Sequence, residues 1–79
     1  MINLSTNQTY LDLKGTPCPL NFVRCKLKLK TLMKHESLLV DIDRGEPEQM
    51  VIEGLLNSGF LVNIILEEPK WMRICITYG

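Results

Sequence analysis

Five residues, Gly15-Thr16-Pro17-Cys18-Pro19, constrain this chain more than any other stretch. Ahead of them Leu11 and Leu13 alternate with polar neighbours, the period of a short half-buried strand, which glycine and proline then stop. Behind them, Pro19 to Lys34 holds no breaker, and Phe22, Cys25, Leu29, Leu32 and Met33 recur at three- and four-residue spacing. That spacing gives a helix one apolar stripe. Within it Lys26-Leu27-Lys28-Leu29-Lys30 alternates with period two, but the segment is far too long for a usual strand. A helix is therefore predicted, with Leu27 at the margin of its stripe. Proline suits the first helical position, where its missing N–H forfeits no bond. Cys18 is thus predicted at the N-cap and Asn21 at the third helical position.

The remaining elements follow the same punctuation. Residues 1–9 are mostly polar and read as an arm, with Ile2 and Leu4 placed to lengthen the first strand, ahead of a single domain at 10–79. Ser37 to Asp43 alternates as a second strand, Leu38, Val40 and Ile42 on one face and Leu39, Asp41 and Asp43 on the other. Gly45 ends it, and Pro47 opens a second helix whose inward side is Met50, Val51, Leu55 and Ile52, with Gly59 as its C-terminal cap. Phe60 to Glu67 and Trp71 to Tyr78, joined by a turn at Glu68-Pro69, form an antiparallel hairpin. The order β-α-β-α-β-β predicts an α/β two-layer sandwich: two helices on one face of a four-stranded mixed sheet, mostly parallel. Val62, Ile64, Leu66, Met72, Ile74 and Ile76 are expected under the helices. Tyr10, Leu39, Leu61, Ile65, Trp71, Arg73 and Cys75 are expected on the open face, where a contiguous apolar patch would mark an interface.

Charge narrows the function classes. Nine basic residues balance nine acidic ones over 79 residues, which argues against disorder and against nucleic-acid binding driven by gross charge. The distribution is uneven. Lys14, Arg24, Lys26, Lys28, Lys30 and Lys34 surround Cys18 with no acid among them, and Asp41, Asp43, Glu46, Glu48, Glu53, Glu67 and Glu68 fall later. Lysines on a helix are commonly just its solvated face, and without interleaved aromatic side chains direct nucleic-acid binding is not expected. No apolar run approaches the ~20 residues of a membrane span, and the first residues lack a signal-peptide pattern. A cytoplasmic protein is expected. Three cysteines without a Cys-x-x-Cys pair suggest neither a disulfide framework nor, with His35 alone, a metal site. No cofactor fingerprint is present.

Cys18 carries the sharpest chemistry. A thiolate at a helix start feels the positive end of the macrodipole and accepts backbone hydrogen bonds, and the thiolate is the reactive form of cysteine. Against this stands a plain alternative: Pro-Cys-Pro closes a loop and Cys18 is a small packed residue. Cys25 falls in the helix stripe and reads as core; Cys75 falls on the open face with nothing near to activate it.

Leu11-Asp12-Leu13-Lys14-Gly15, Cys18-Pro19, the basic helix and Asp43-Arg44-Gly45-Glu46-Pro47 together resemble the TusA family of small sulfur-carrier proteins, over about residues 10 to 78. The family signature is Cys-Pro-x-Pro, and this chain reads Cys18-Pro19-Leu20-Asn21. The resemblance implies a fold like the C-terminal domain of a bacterial translation initiation factor. It also implies a sulfurtransferase-type carrier that holds sulfane sulfur as a persulfide on Cys18. Its partners would be a cysteine desulfurase or other persulfide donor and a downstream acceptor protein, in relays that include transfer-RNA thiolation. Pro19, Leu20 and Asn21 form the thiolate environment, and Lys14, Arg24 and Lys26 are candidates for partner docking or for stabilising the persulfide anion. Asn21, unlike a proline, offers a backbone N–H and a side-chain amide to the sulfur. The other reading of the chain is a non-catalytic binding or regulatory module that keeps this fold.

Overall fold

The computed structural model describes residues 8–33 and 35–78, so the expectations for Ile2, Leu4 and Lys34 lie outside the described residues. In chain order the elements are β1 (Gln8–Asp12), α1 (Leu20–Leu29), β2 (Ser37–Asp43), α2 (Glu46–Asn57), β3 (Phe60–Glu67) and β4 (Trp71–Tyr78). The sheet order is β1-β2-β4-β3. Of the three strand pairs only β1–β2 is parallel; β2–β4 and β4–β3 are antiparallel. The sheet is mixed as expected but not mostly parallel, because β4 inserts between β2 and β3 and separates two strands that run the same way.

β4 takes the central place because it is apolar enough to be covered along its length. Met72, Ile74 and Ile76 are buried, and they join Leu38, Val40 and Ile42 of β2, Cys25 and Leu29 of α1, and Val51 and Leu55 of α2 in one core. Both helices therefore lie on one sheet face. They approach closely at Gly54, where an added Cβ would sit 2.6 Å from the Phe22 ring.

Four expectations about packing are corrected. α1 ends at Leu29, short of the predicted Lys34: the ladder tightens there to Thr31 N–H on Lys28 O and Leu32 N–H on Leu29 O, and the Thr31 and Tyr78 hydroxyls donate to the same two carbonyls. Met33 lies beyond that end and is exposed rather than part of the stripe. Met50 is also exposed: at about 100° per residue it turns away from Val51 and Leu55, and Ile52 packs in its place. Ile64 and Leu66 are exposed because β3 is an edge strand and because of a bulge between them. Ile64 aligns with Ile74, but Leu66 aligns with Arg73, so the extra residue flips the side-chain alternation. Leu66 thereby joins the open face. Among the described residues no helix is long and apolar enough to cross a membrane.

Candidate functional site

The loop between β1 and α1 is fastened before it reaches the cysteine. Leu13 N–H extends the β1–β2 ladder to Asp41 O at 2.8 Å, and Thr16 N–H closes a turn onto Leu13 O at 3.0 Å. Two carboxylates hold the turn itself: Asp12 accepts from Lys14 N–H at 3.0 Å, and Asp43 accepts from Gly15 N–H at 2.8 Å. Gly15 sits at φ +79, a conformation that favours glycine.

α1 then starts one residue later than predicted. Pro19 is the N-cap, with φ −93 and ψ 10, and the Cys18–Pro19 peptide is cis. Asn21 N–H donates back to Pro17 O at 3.1 Å, which wraps the chain into a turn ahead of the helix. Cys18 is therefore the residue before the cap, not the cap, and Asn21 is the second helical residue, not the third. Its backbone N–H is spent on Pro17 and does not reach sulfur.

The side chain of Asn21 does reach it. Asn21 is 1% exposed, its Oδ1 accepts from Phe22 N–H at 2.7 Å, and its Nδ2 lies 3.4 Å from Cys18 Sγ. The neighbours dictate the orientation of this amide. Phe22 N–H can only donate, so the atom facing it is oxygen and the atom facing sulfur is the NH₂ group. An N–H aimed at sulfur complements a thiolate or a persulfide anion. Cys18 itself is exposed.

The three predicted cations do not converge. Lys14 Nζ stands 4.4 Å over the Trp71 ring and 3.9 Å from Asp41 Oδ2, on the open sheet face. Lys26 Nζ donates to Ser58 Oγ at 3.1 Å and lies within 6 Å of the Phe22 and Phe60 rings, at the start of β3. Arg24 is exposed on the outer face of α1. Beside it lie Leu20, Val23 and Leu27, all exposed. Their spacing of three and four residues makes a second apolar stripe opposite Cys25 and Leu29, and that spacing was the signal by which the sequence could have revealed it.

The open face holds a charged cluster that the sequence reading did not assemble. Asp41 is buried, its carboxylate gripped by Arg73 through Nε at 2.7 Å and Nη2 at 3.0 Å and by the Tyr10 hydroxyl. The bonds from Arg73, followed by that from Tyr10, hold this carboxyl below its usual range despite burial. The same bond to Asp41 pushes the Tyr10 phenol up. Arg73 also lies 5.6 Å from the Tyr10 ring centroid and 5.5 Å from that of Trp71. Asp41 and Arg73 are direct cross-strand partners, so correct β2–β4 pairing was the missing step.

The other cysteines separate cleanly. Burial pushes the Cys25 thiol up to about 12, as fits a core residue, and Cys75 is half-buried on β4. Among the described residues no group of three or more His, Cys, Asp and Glu side chains is placed to hold a metal.

Comparison with known proteins yields two findings. A family model described as sulfurtransferase TusA matches residues 9–78. Among solved structures, the SirA-like protein of Desulfitobacterium hafniense superposes with a TM-score of 0.76 at 19% identity, covering 90% of this chain and 97% of that one. No curated protein matches the chain.

Proposed function

Since the chain belongs to the TusA sulfurtransferase family, a family of sulfur carriers, we propose that Cys18 is the atom-bearing residue of a persulfide relay. The observation that carries this reading is the Asn21 amide: a buried donor, fixed by its own backbone bond, aimed at the sulfur of an exposed cysteine. Sulfur acceptance needs a thiolate able to attack and a place for the anion that results. The Cys18 thiolate attacks the outer sulfur of a donor R–S–SH. The Cys18 S–S bond forms as the donor S–S bond breaks, and the donor leaves as a thiolate with the bonding electron pair. One sulfur–sulfur bond replaces another, so no external oxidant or reductant enters. The Cys18 persulfide then loses its proton, and the Asn21 N–H stabilises the charge. Delivery reverses the step, with an acceptor protein's thiolate attacking the outer sulfur.

Docking is supported by the outer face of α1, where Leu20, Val23 and Leu27 give apolar contact beside Arg24. A partner with an apolar patch edged by carboxylates fits it. We assign the relay to the cytoplasm, from a cysteine desulfurase or similar donor to an acceptor protein, with transfer-RNA thiolation among its outlets. The test is intact mass after incubation with a cysteine desulfurase and cysteine. One or more added sulfur atoms, removed by reductant and absent in Cys18→Ser, is the expected result. Absence of loading from several competent donors would overturn the proposal.

A further inference from the structure

β3 is an edge strand whose outer side is unguarded among the described residues. Natural sheet edges are commonly blunted by charge, by proline or by short length. β3 is eight residues long, and Phe60 to Leu66 contains neither a charge nor a proline. Its one irregularity, the bulge between Ile64 and Leu66, leaves Phe60 to Ile64 in unbroken register with β4. Leu61 is 54% exposed, Ile64 52% and Ile65 56%. Apolar groups thus flank the unpaired backbone edge on both faces of the sheet.

The charges at the two ends of the strand identify what fits there. At the start, Lys26 Nζ lies 5.8 Å from the Phe60 ring and has no carboxylate partner among the described residues. At the finish stands the exposed Glu67, which shares Arg44, 3.3 Å away, with Glu48, so two carboxylates around one guanidinium leave that end net negative. Phe60 aligns with Tyr78 and Glu67 with Met72, an even number of residues apart on β4, so the two ends present to the same sheet face. In a two-fold antiparallel pairing of two β3 strands, the Phe60 end of each runs beside the Glu67 end of the other. Each Lys26 then approaches the other copy's Glu67. A parallel pairing would oppose like charges instead, and the neutral middle of the strand opposes nothing. We infer that this edge is a self-association surface, through which two copies join their sheets antiparallel into one of eight strands with Lys26–Glu67 contacts at both ends. The surface is independent of the Cys18 chemistry.

Sedimentation velocity on the full chain, from micromolar to near-millimolar concentration, tests it. A concentration-dependent dimer is expected, lost in Ile64→Lys. Lys26→Glu or Glu67→Lys alone is expected to weaken it on the order of tenfold, because two exposed pairs become repulsions, and the double charge reversal is expected to restore it. In the unaltered protein, hydrogen exchange at those Phe60–Glu67 amides that point away from β4 slows as the dimer forms. This readout decides the matter should Ile64→Lys fail to fold. A monomer at every concentration, a dimer indifferent to Ile64→Lys, a double reversal no better than either single change, or dimerisation without slowed β3 exchange would each overturn the inference.

Discussion

The two helices begin in opposite ways. At α2, Gly45 N–H donates to the Glu48 carboxylate at 2.7 Å, Glu46 adds a second acid to the first turn, and Arg44 lies 3.5 Å from Glu48. The positive end of that helix is answered from within its own sequence. At α1 there is no acid in the first turn and no side-chain cap. Asn21 points its oxygen at the backbone and its NH₂ at Cys18 Sγ, so the donor is turned toward the residue proposed to carry sulfur. Both helices follow a strand and a glycine-containing turn. What distinguishes a helix start that only holds the fold from one that serves an anion is whether its first turn already carries one.

The sharpest way to break this contrast is Asn21→Leu, which keeps bulk and removes the donor. A hydrogen bond to a charged group contributes roughly 1.5–3 kcal/mol, so sulfur loading and iodoacetamide alkylation of Cys18 should slow by roughly ten- to a hundredfold, read by quenched-flow mass spectrometry. Next in size is acid. Because the Asp41 carboxyl is held low, its contribution to stability is complete above about pH 4 and is lost as pH falls through its depressed native value. Melting temperature should drop on acidification, and less steeply in Asp41→Asn. The loss concerns the β1–α1 side, where Lys14 leans on Asp41. A third change makes α1 start like α2: Leu20→Glu places an acid near the sulfur and should slow alkylation roughly two- to fivefold, about 0.3–1 kcal/mol of helix-end electrostatics. The smallest effect belongs to Glu48→Gln. It should cost under about 1 kcal/mol in denaturant titration and leave Cys18 loading unchanged; a slowed reaction there would dissolve the contrast.

Much of this was legible from residue order. β2, β3 and β4 fall where alternation and turn residues put them, since those signals are local. Cys18, Asn21 and the side-chain amide contact were within reach for the same reason: the two groups are three positions apart. What was hidden depends on distant segments. The last carbonyl of α1 accepts from Tyr78, forty-nine residues away. The fate of Leu66 depends on a bulge that appears only when β3 pairs with β4. Lys14 and Lys26 looked like neighbours of Cys18 in the chain, yet each is drawn to aromatic rings on other elements. Spacing along the sequence reports contacts within a turn, and says little about where a long, flexible cation comes to rest.

The central place of β4 also bears on how the molecule comes into being. Residues 71–78 are synthesised after every other described element, and they alone join β2 to β3. A growing chain on the ribosome can form α1, α2 and the β1–β2 pair, but the slot between β2 and β3 stays vacant until that segment emerges. Closure of the sheet, and with it the fastening of α1 by Tyr78, therefore waits for the last of the described elements.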